Sequence, residues 1–225
     1  MRISSRTLIS AVESFDMELT KQEHRVIARL DTPDRIQTFV DKLAYSSEDS
    51  YRSPLHVLRE RTCQCFDGAL FAAAMLRRLG QPALILNLLP DNRDDDHVLA
   101  LFRMDSHWGS IAMSNFAGLR FREPVYRSLR ELVMSYFELY FNVEAEKTLR
   151  GYTLPVNLKS FDKYHWMIRP EALELISHRL DSTRRVSLLT RRMIAGLSLA
   201  DERSCRAGLF GANKAGLYKP ARKKH

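Results

Sequence analysis

Apolar residues recur at helical spacing along the first quarter of the chain. Between residues 4 and 17 they return every three or four positions, which predicts an amphipathic helix. A second helix is predicted over residues 33–43, because Thr32-Pro33-Asp34 provides an N-cap, a first helical residue and an acidic first turn. After the polar stretch 45–50, Ser53-Pro54 predicts the start of a short helix.

The most apolar run, CFDGALFAAAMLRRLG, occupies residues 65–80. Its apolar positions cover more than one helical stripe, which predicts a helix buried on most sides and ended by Gly80. The following segments ALILNLL, HVLALFRM and HWGSIAM predict three strands of an antiparallel meander. Further helices are predicted over residues 124–142 and 170–180. This order of elements predicts an α+β fold in which a central helix packs on a sheet.

Length and charge predict one domain followed by a basic tail. A chain of 225 residues, 45% hydrophobic and 28% charged, is typical of a single globular domain. The net charge of +8 is concentrated in residues 182–225, which hold eleven Lys or Arg and two acids. We therefore expect a domain over 1–181, with its core at about 53–142, and a helical then flexible tail over 182–225. Such a tail is either simply solvated or attracts nucleic acid or an anionic surface.

The cysteine pattern and the hydropathy predict a cytoplasmic protein. The chain has three cysteines, and two of them, Cys63 and Cys65, are separated by one residue, so a disulfide framework is not expected. No apolar stretch reaches the ~18 residues of a membrane span, and acids interrupt the first 20 residues, unlike a signal peptide.

Cys65 and His97 are the candidate catalytic pair. Cys65 begins the predicted central helix, where unpaired N–H groups and the helix dipole favour a thiolate. His97 begins a predicted strand and would serve as its base. A structural, buried cysteine is the alternative interpretation.

The segments CFDGALFAAAMLRRLGQPALIL and DDDHVLALF resemble the transglutaminase-like superfamily, part of the papain-like group of cysteine enzymes. The resemblance rests on Cys65, Asp67, Leu79-Gly80 and His97 and spans about residues 55–120. It implies a papain-like core, with the central helix on an antiparallel sheet and flanking helices, and a protein or peptide substrate.

The chain departs from this superfamily at the third catalytic position. Members usually place an Asp shortly after a Trp on the next strand, whereas here the sequence after Trp108 has no acid. Asn115 would orient His97 by accepting its Nδ1–H, as the Asn does in Cys-His-Asn sites. Ser114 is the alternative, and a third possibility is that Asp105, another residue or none takes this part.

Three functions follow from these features. The first is a cysteine-dependent acyl-transfer enzyme of peptidase, amidase or transglutaminase type; the sequence does not decide between water and an amine as second nucleophile. The second is a noncatalytic scaffold or partner-binding protein, and the third is a nucleic-acid-associated protein acting through the tail.

No cofactor and no metal is expected at the candidate site. Asp94, Asp95, Asp96 and His97 are consecutive, and neighbouring residues of a strand point to opposite faces, so few of them can converge on one ion. A zinc site would draw its ligands from the list Cys63, Cys65, His97 and His107. That set lacks the usual spacing of zinc ligands.

Overall fold

The fold is seen in a computed structural model that describes residues 10–48 and 50–221. The start of the first predicted helix, before residue 10, lies outside the described residues. So do Asp49 of the predicted polar stretch and residues 222–225 of the predicted tail.

The helices and strands follow the predicted order over most of the chain. The helices are α1 (Ala11–Met17), α2 (Lys21–Ile27), α3 (Pro33–Val40), α4 (Pro54–Glu60), α5 (Cys65–Arg78), α6 (Leu129–Met134), α7 (Leu173–Asp181), α8 (Arg191–Ala195) and α9 (Glu202–Gly208). The strands are β1 (Ala44–Tyr45), β2 (Thr62–Cys63), β3 (Leu84–Pro90), β4 (His97–Met104), β5 (His107–Ile111), β6 (Arg122–Tyr126), β7 (Leu149–Thr153), β8 (Val156–Asn157) and β9 (Arg185–Ser187). Short 3₁₀ helices cover Ala117–Leu119, Phe137–Leu139, Leu158–Tyr164, Pro170–Ala172 and Lys214–Gly216.

Hydroxyl side chains cap the first four helices. Ser10, Thr20, Thr32 and Ser53 each accept a hydrogen bond from a backbone N–H of the first turn. This contact satisfies a donor that has no partner inside the helix. Each helix therefore begins where the sequence provides such a residue.

The main sheet has the strand order β6-β5-β4-β3-β7-β9, with β8 also paired to β3, and its pairings are antiparallel. Alternate residues of β3 and β4 pack on the two faces. Ile85, Val98 and Ala100 join the core under α5, whereas Leu86 and Leu99 join a second core that includes residues of α6. Burial on both faces explains why these strands read as continuous apolar runs. The predicted α+β fold, with a central helix on an antiparallel sheet, is confirmed.

The predicted helix over residues 124–142 is wrong. Pro124 lies in β6, at the edge of the sheet, where a residue without an N–H is tolerated. Ser128 then caps the short helix α6, and a 3₁₀ turn follows at Phe137–Leu139.

The expected tail is folded onto the domain over the residues that the structure describes. β9 pairs with β7, and the Leu188 N–H donates to Arg150 O at 2.9 Å. The Ala200 N–H donates to Ala145 O at 2.8 Å. The boundary expected at residue 181 is therefore not a break in the structure up to residue 221.

Over the described ranges, no helix combines the length and the apolar character that crossing a bilayer requires.

Candidate active site

Cys65 is the first residue of α5. The first bond within this helix joins the Gly68 N–H to Gln64 O at 2.9 Å, so the helix does not use the N–H groups of Cys65 and Phe66. The Cys65 thiol lies beside the start of β4, with Sγ 3.9 Å from Asp96 O.

Asp67 ties the start of α5 to the preceding loop. Its carboxylate accepts the backbone N–H groups of Arg52, at 2.9 Å, and Gln64, at 3.3 Å. The Arg52 guanidinium lies 4.0 Å from the carboxylate. Burial raises the pKa of Asp67 to about 6, and the two N–H groups and Arg52 oppose that rise. Asp67 thus positions the turn that carries the thiol.

The His97 imidazole is held by a backbone carbonyl. Its Nε2 lies 2.7 Å from Leu119 O, and only 4% of the residue is exposed. Because a carbonyl only accepts, Nε2 carries the proton and Nδ1 keeps a lone pair. Burial lowers the pKa of His97 to about 4, so the ring is neutral at pH 7.

Cys65 and His97 line one small cavity of about 50 Å³. His97 shares its strand parity with Leu99, which faces away from α5. Cys65 instead reaches the strand beside Asp96 O. The two residues therefore line the cavity around the first residues of β4, and not the interface between α5 and the sheet.

Asn115 and Ser114 do not hold His97 in this structure. The Asn115 side chain is paired with the backbone of Asn213, and the Ser114 hydroxyl accepts the Phe116 N–H at 3.0 Å. The Leu119 carbonyl occupies the orienting role that was predicted for Asn115. A backbone carbonyl leaves no mark in the residue types, so sequence reasoning had no signal by which to find it.

The environment of Cys65 opposes a thiolate, contrary to the expected lowering of its pKa. The residue as a whole is half-buried, but protein surrounds the thiol, and this burial raises its pKa to about 12. The nearby Asp96 carboxylate adds to the rise, followed by Asp95, whereas the Val98 N–H opposes it. Any dipole effect of α5 is smaller than this cost of burial.

Residues 213–221, here called the covering segment, form part of the cavity wall through Gly216 and Tyr218. The segment is joined to the domain at its far end, where Arg93 Nη1 donates to Ala221 O at 2.5 Å. A Cβ at Gly216 would lie 2.9 Å from two ring carbons of Tyr45, which is too close for a real contact. The covering segment, Tyr45 and Leu119 are features of the site that sequence reasoning missed.

The alternative metal ligands are not assembled. His107 pairs with Met104, at the opposite end of β4 from His97. Within the part of the chain that the structure describes, no three His, Cys, Asp or Glu side chains are grouped so that they could hold a metal ion.

A known family model matches the core of the chain. Residues 16–112 match the family model of the transglutaminase-like superfamily, a range that contains Cys65 and His97 and ends before Ser114. This match confirms the resemblance drawn from the sequence.

Two solved structures of LapG from Legionella pneumophila are similar to the chain. One is 15% identical, covers 48% of this chain and 72% of its own, and has a TM-score of 0.34. The other, of EGTA-treated LapG, is 13% identical, covers 76% and 95%, and has a TM-score of 0.39. No curated protein matches the chain.

Proposed function

Residues 16–112 match the family model of the transglutaminase-like superfamily, and from this premise we propose that the chain is a cysteine-dependent acyl-transfer enzyme. Cys65 would be its nucleophile and His97 its base. The observation that carries the proposal is that these two side chains, 32 residues apart in the sequence, line one cavity at the start of α5.

The reaction would begin with transfer of the thiol proton to His97 Nδ1, the ring nitrogen that keeps a lone pair. The sulfur then attacks an amide carbonyl carbon and forms a C–S bond. The N–H groups of Cys65 and Phe66, which α5 does not use, are the donors for the oxyanion. Collapse breaks the C–N bond, and the imidazolium returns its proton to the leaving amine.

The thioester left on Cys65 would be cleaved by water or by an amine. Water makes the protein a peptidase or amidase, and an amine makes it a transglutaminase. The resemblance to this superfamily favours a protein or peptide as acyl donor.

A simple acyl donor tests the proposal without knowledge of the natural substrate. Wild type and Gly216→Val, which displaces the covering segment, are incubated with p-nitrophenyl acetate, and acetylation of Cys65 is followed by mass spectrometry. We expect acetylated Cys65 and a burst of nitrophenolate, both reduced at least about 100-fold by His97→Gln, within the usual range for loss of an acid–base group. Cys205→Ser is the matched control and should change neither.

A noncatalytic scaffold is the second candidate, because burial raises the pKa of Cys65 and a carbonyl stands in place of the third catalytic side chain. A scaffold would leave Cys65 unmodified in both proteins, or acetylated at a rate indifferent to His97. Either result would exclude the proposed enzyme.

A further inference from the structure

The side chain of Asn115 binds the backbone of the covering segment. Asn115 Oδ1 accepts the Asn213 N–H at 2.7 Å, and Asn115 Nδ2 donates to Asn213 O at 2.9 Å. One side-chain amide thus pairs with both polar backbone groups of a single residue. The proposed reaction does not use this contact.

Asn213 also begins a tight turn that fits the site. Its Oδ1 accepts the Ala215 N–H at 3.1 Å, its carbonyl accepts the Gly216 N–H at 3.1 Å, and its Nδ2 donates to Tyr45 O at 3.0 Å. The first two bonds make the turn, as Asn side chains do in Asx turns. The third bond recognises the Asn side chain itself.

The fourth residue of this turn must be glycine for steric reasons. A Cβ at Gly216 would lie 2.9 Å from two carbons of the Tyr45 ring and 3.5 Å from Asn115 Nδ2. The site therefore distinguishes Asn-x-x-Gly from the same turn with a larger fourth residue.

The turn lies against the cavity that contains the candidate nucleophile. Tyr45, Cys65, Asn115 and Gly216 line that cavity together. The segment is held largely by hydrogen bonds, and Tyr218 remains 39% exposed. A second peptide with the same turn would make the same bonds, so the chain's own segment can be exchanged for it.

We propose that Asn115 and Tyr45 form a binding site for a peptide turn of the type Asn-x-x-Gly, which residues 213–216 of the chain itself occupy. While the chain's own turn is bound it covers Cys65, and a second peptide with the same turn takes its place over the thiol. The proposal rests on the proposed function only where it takes Cys65 to be the nucleophile.

The binding test uses a fluorescent peptide with the sequence LFGANKAGLY, which is that of residues 209–218. We expect fluorescence anisotropy to show at least tenfold tighter binding to Gly216→Val, whose own turn is displaced, than to wild type. Asn115→Asp in the Gly216→Val protein replaces the Nδ2 donor by an acceptor and should weaken binding at least tenfold. The peptide LFGANKAVLY is the matched control and should bind at least tenfold more weakly.

The exposure of the thiol is measured by the rate at which iodoacetamide modifies Cys65, located by peptide mapping. We expect this rate to rise at least tenfold in Gly216→Val and to fall again when LFGANKAGLY is added. Gly196→Ala, where the new Cβ would meet only ordinary contacts at 3.7 Å, should react like wild type. If Gly216→Val melts far below wild type, Asn213→Ala replaces it, since Asn213 is exposed and its side chain donates to Tyr45 O.

Equal peptide binding by wild type and Gly216→Val, no binding by either, or binding indifferent to Asn115→Asp would overturn the proposal. So would an unchanged rate of Cys65 modification. Peptide binding requires no acyl transfer. A protein that binds the peptide but is never acetylated would therefore contradict the proposed function alone.

Discussion

At the scale of single residues, the charge state of His97 follows from what surrounds it. A carbonyl fixes the proton on Nε2, and burial disfavours the imidazolium, which lowers the pKa to about 4. Before reaction, the site therefore holds a neutral imidazole and a neutral thiol, and not a thiolate–imidazolium ion pair.

The lowered pKa of His97 makes the protein sensitive to acid. Between pH 6.5 and about 4 the unfolded chain binds a proton at His97 that the folded protein does not bind, so stability is lost as the pH falls. His97→Gln keeps a donor for Leu119 O but does not titrate. The advantage of wild type over His97→Gln in free energy of unfolding should shrink by about 3 kcal/mol from pH 7 to pH 4.

Urea titrations of the two proteins at both pH values measure this difference. His107→Gln is a control, because His107 is half-exposed in the β4–β5 hairpin. A difference between wild type and His97→Gln that stays constant with pH would contradict the neutral, buried imidazole.

Substitution of Asp67 tests whether the turn before α5 depends on one carboxylate. Asp67→Ala leaves one buried and one partly buried N–H group without an acceptor and removes a carboxylate near buried Arg52, so unfolding free energy should fall by about 2–4 kcal/mol. Asp31→Ala, which removes an exposed ion pair with Arg35, should cost less than about 1 kcal/mol. Urea denaturation compares the two variants. Equal losses of unfolding free energy would contradict the positioning role of Asp67.

At the scale of elements, the sequence predicts those helices and strands whose ends are set by neighbouring residues in the chain. The central helix was predicted over residues 65–79 and is observed at Cys65–Arg78, because a long apolar run and the stop at Gly80 define it. The strand β6 escaped prediction because Pro124 suits an edge strand as well as a helix start, and only the sheet decides between them. The contact of Asn115 with Asn213 could not be predicted, because the two residues lie 98 positions apart.

The helix α5 packs closely against Met113, in the segment that follows β5. A Cβ at Gly68 would lie 2.5 Å from Met113 Cβ, so α5 would have to move. Alanine is favoured over glycine inside a helix by about 1 kcal/mol, yet overpacking costs about 1–3 kcal/mol. Gly68→Ala should therefore lower the free energy of unfolding by up to about 2 kcal/mol.

Gly196→Ala provides the comparison in the same urea experiment. Its new Cβ meets only ordinary contacts, so the change should be within about 1 kcal/mol of neutral. A stabilised Gly68→Ala protein would show that α5 is not in close contact with Met113.

At the scale of the whole molecule, residues beyond 181 belong to the sheet and to the candidate site at once. β9 extends the main sheet, and the covering segment lies on the cavity at the end of β4. The charge of these residues suggested a tail, because composition reports how basic a segment is but not which carbonyls and amides its backbone will meet.

The three cysteines differ in how deeply they are buried. Cys63 is fully buried, Cys65 lies under the covering segment and Cys205 is half-buried on α9. We expect iodoacetamide to modify Cys205 in the folded protein, Cys65 after local displacement of the covering segment, and Cys63 only after global unfolding.

Urea separates these routes, because the dependence of a rate on urea grows with the surface that opening exposes. Modification of Cys63 should accelerate about tenfold or more per molar urea, as a slope of about 1.4 kcal/mol/M or more implies for the unfolding of a small protein. Cys65 should accelerate less than about threefold, since only residues 213–221 must move. Equal urea dependence for Cys63 and Cys65 would mean that the segment opens only when the whole fold does. A smaller dependence for Cys65 would show that the segment opens while the rest of the fold stays intact, as its exchange for a second peptide requires.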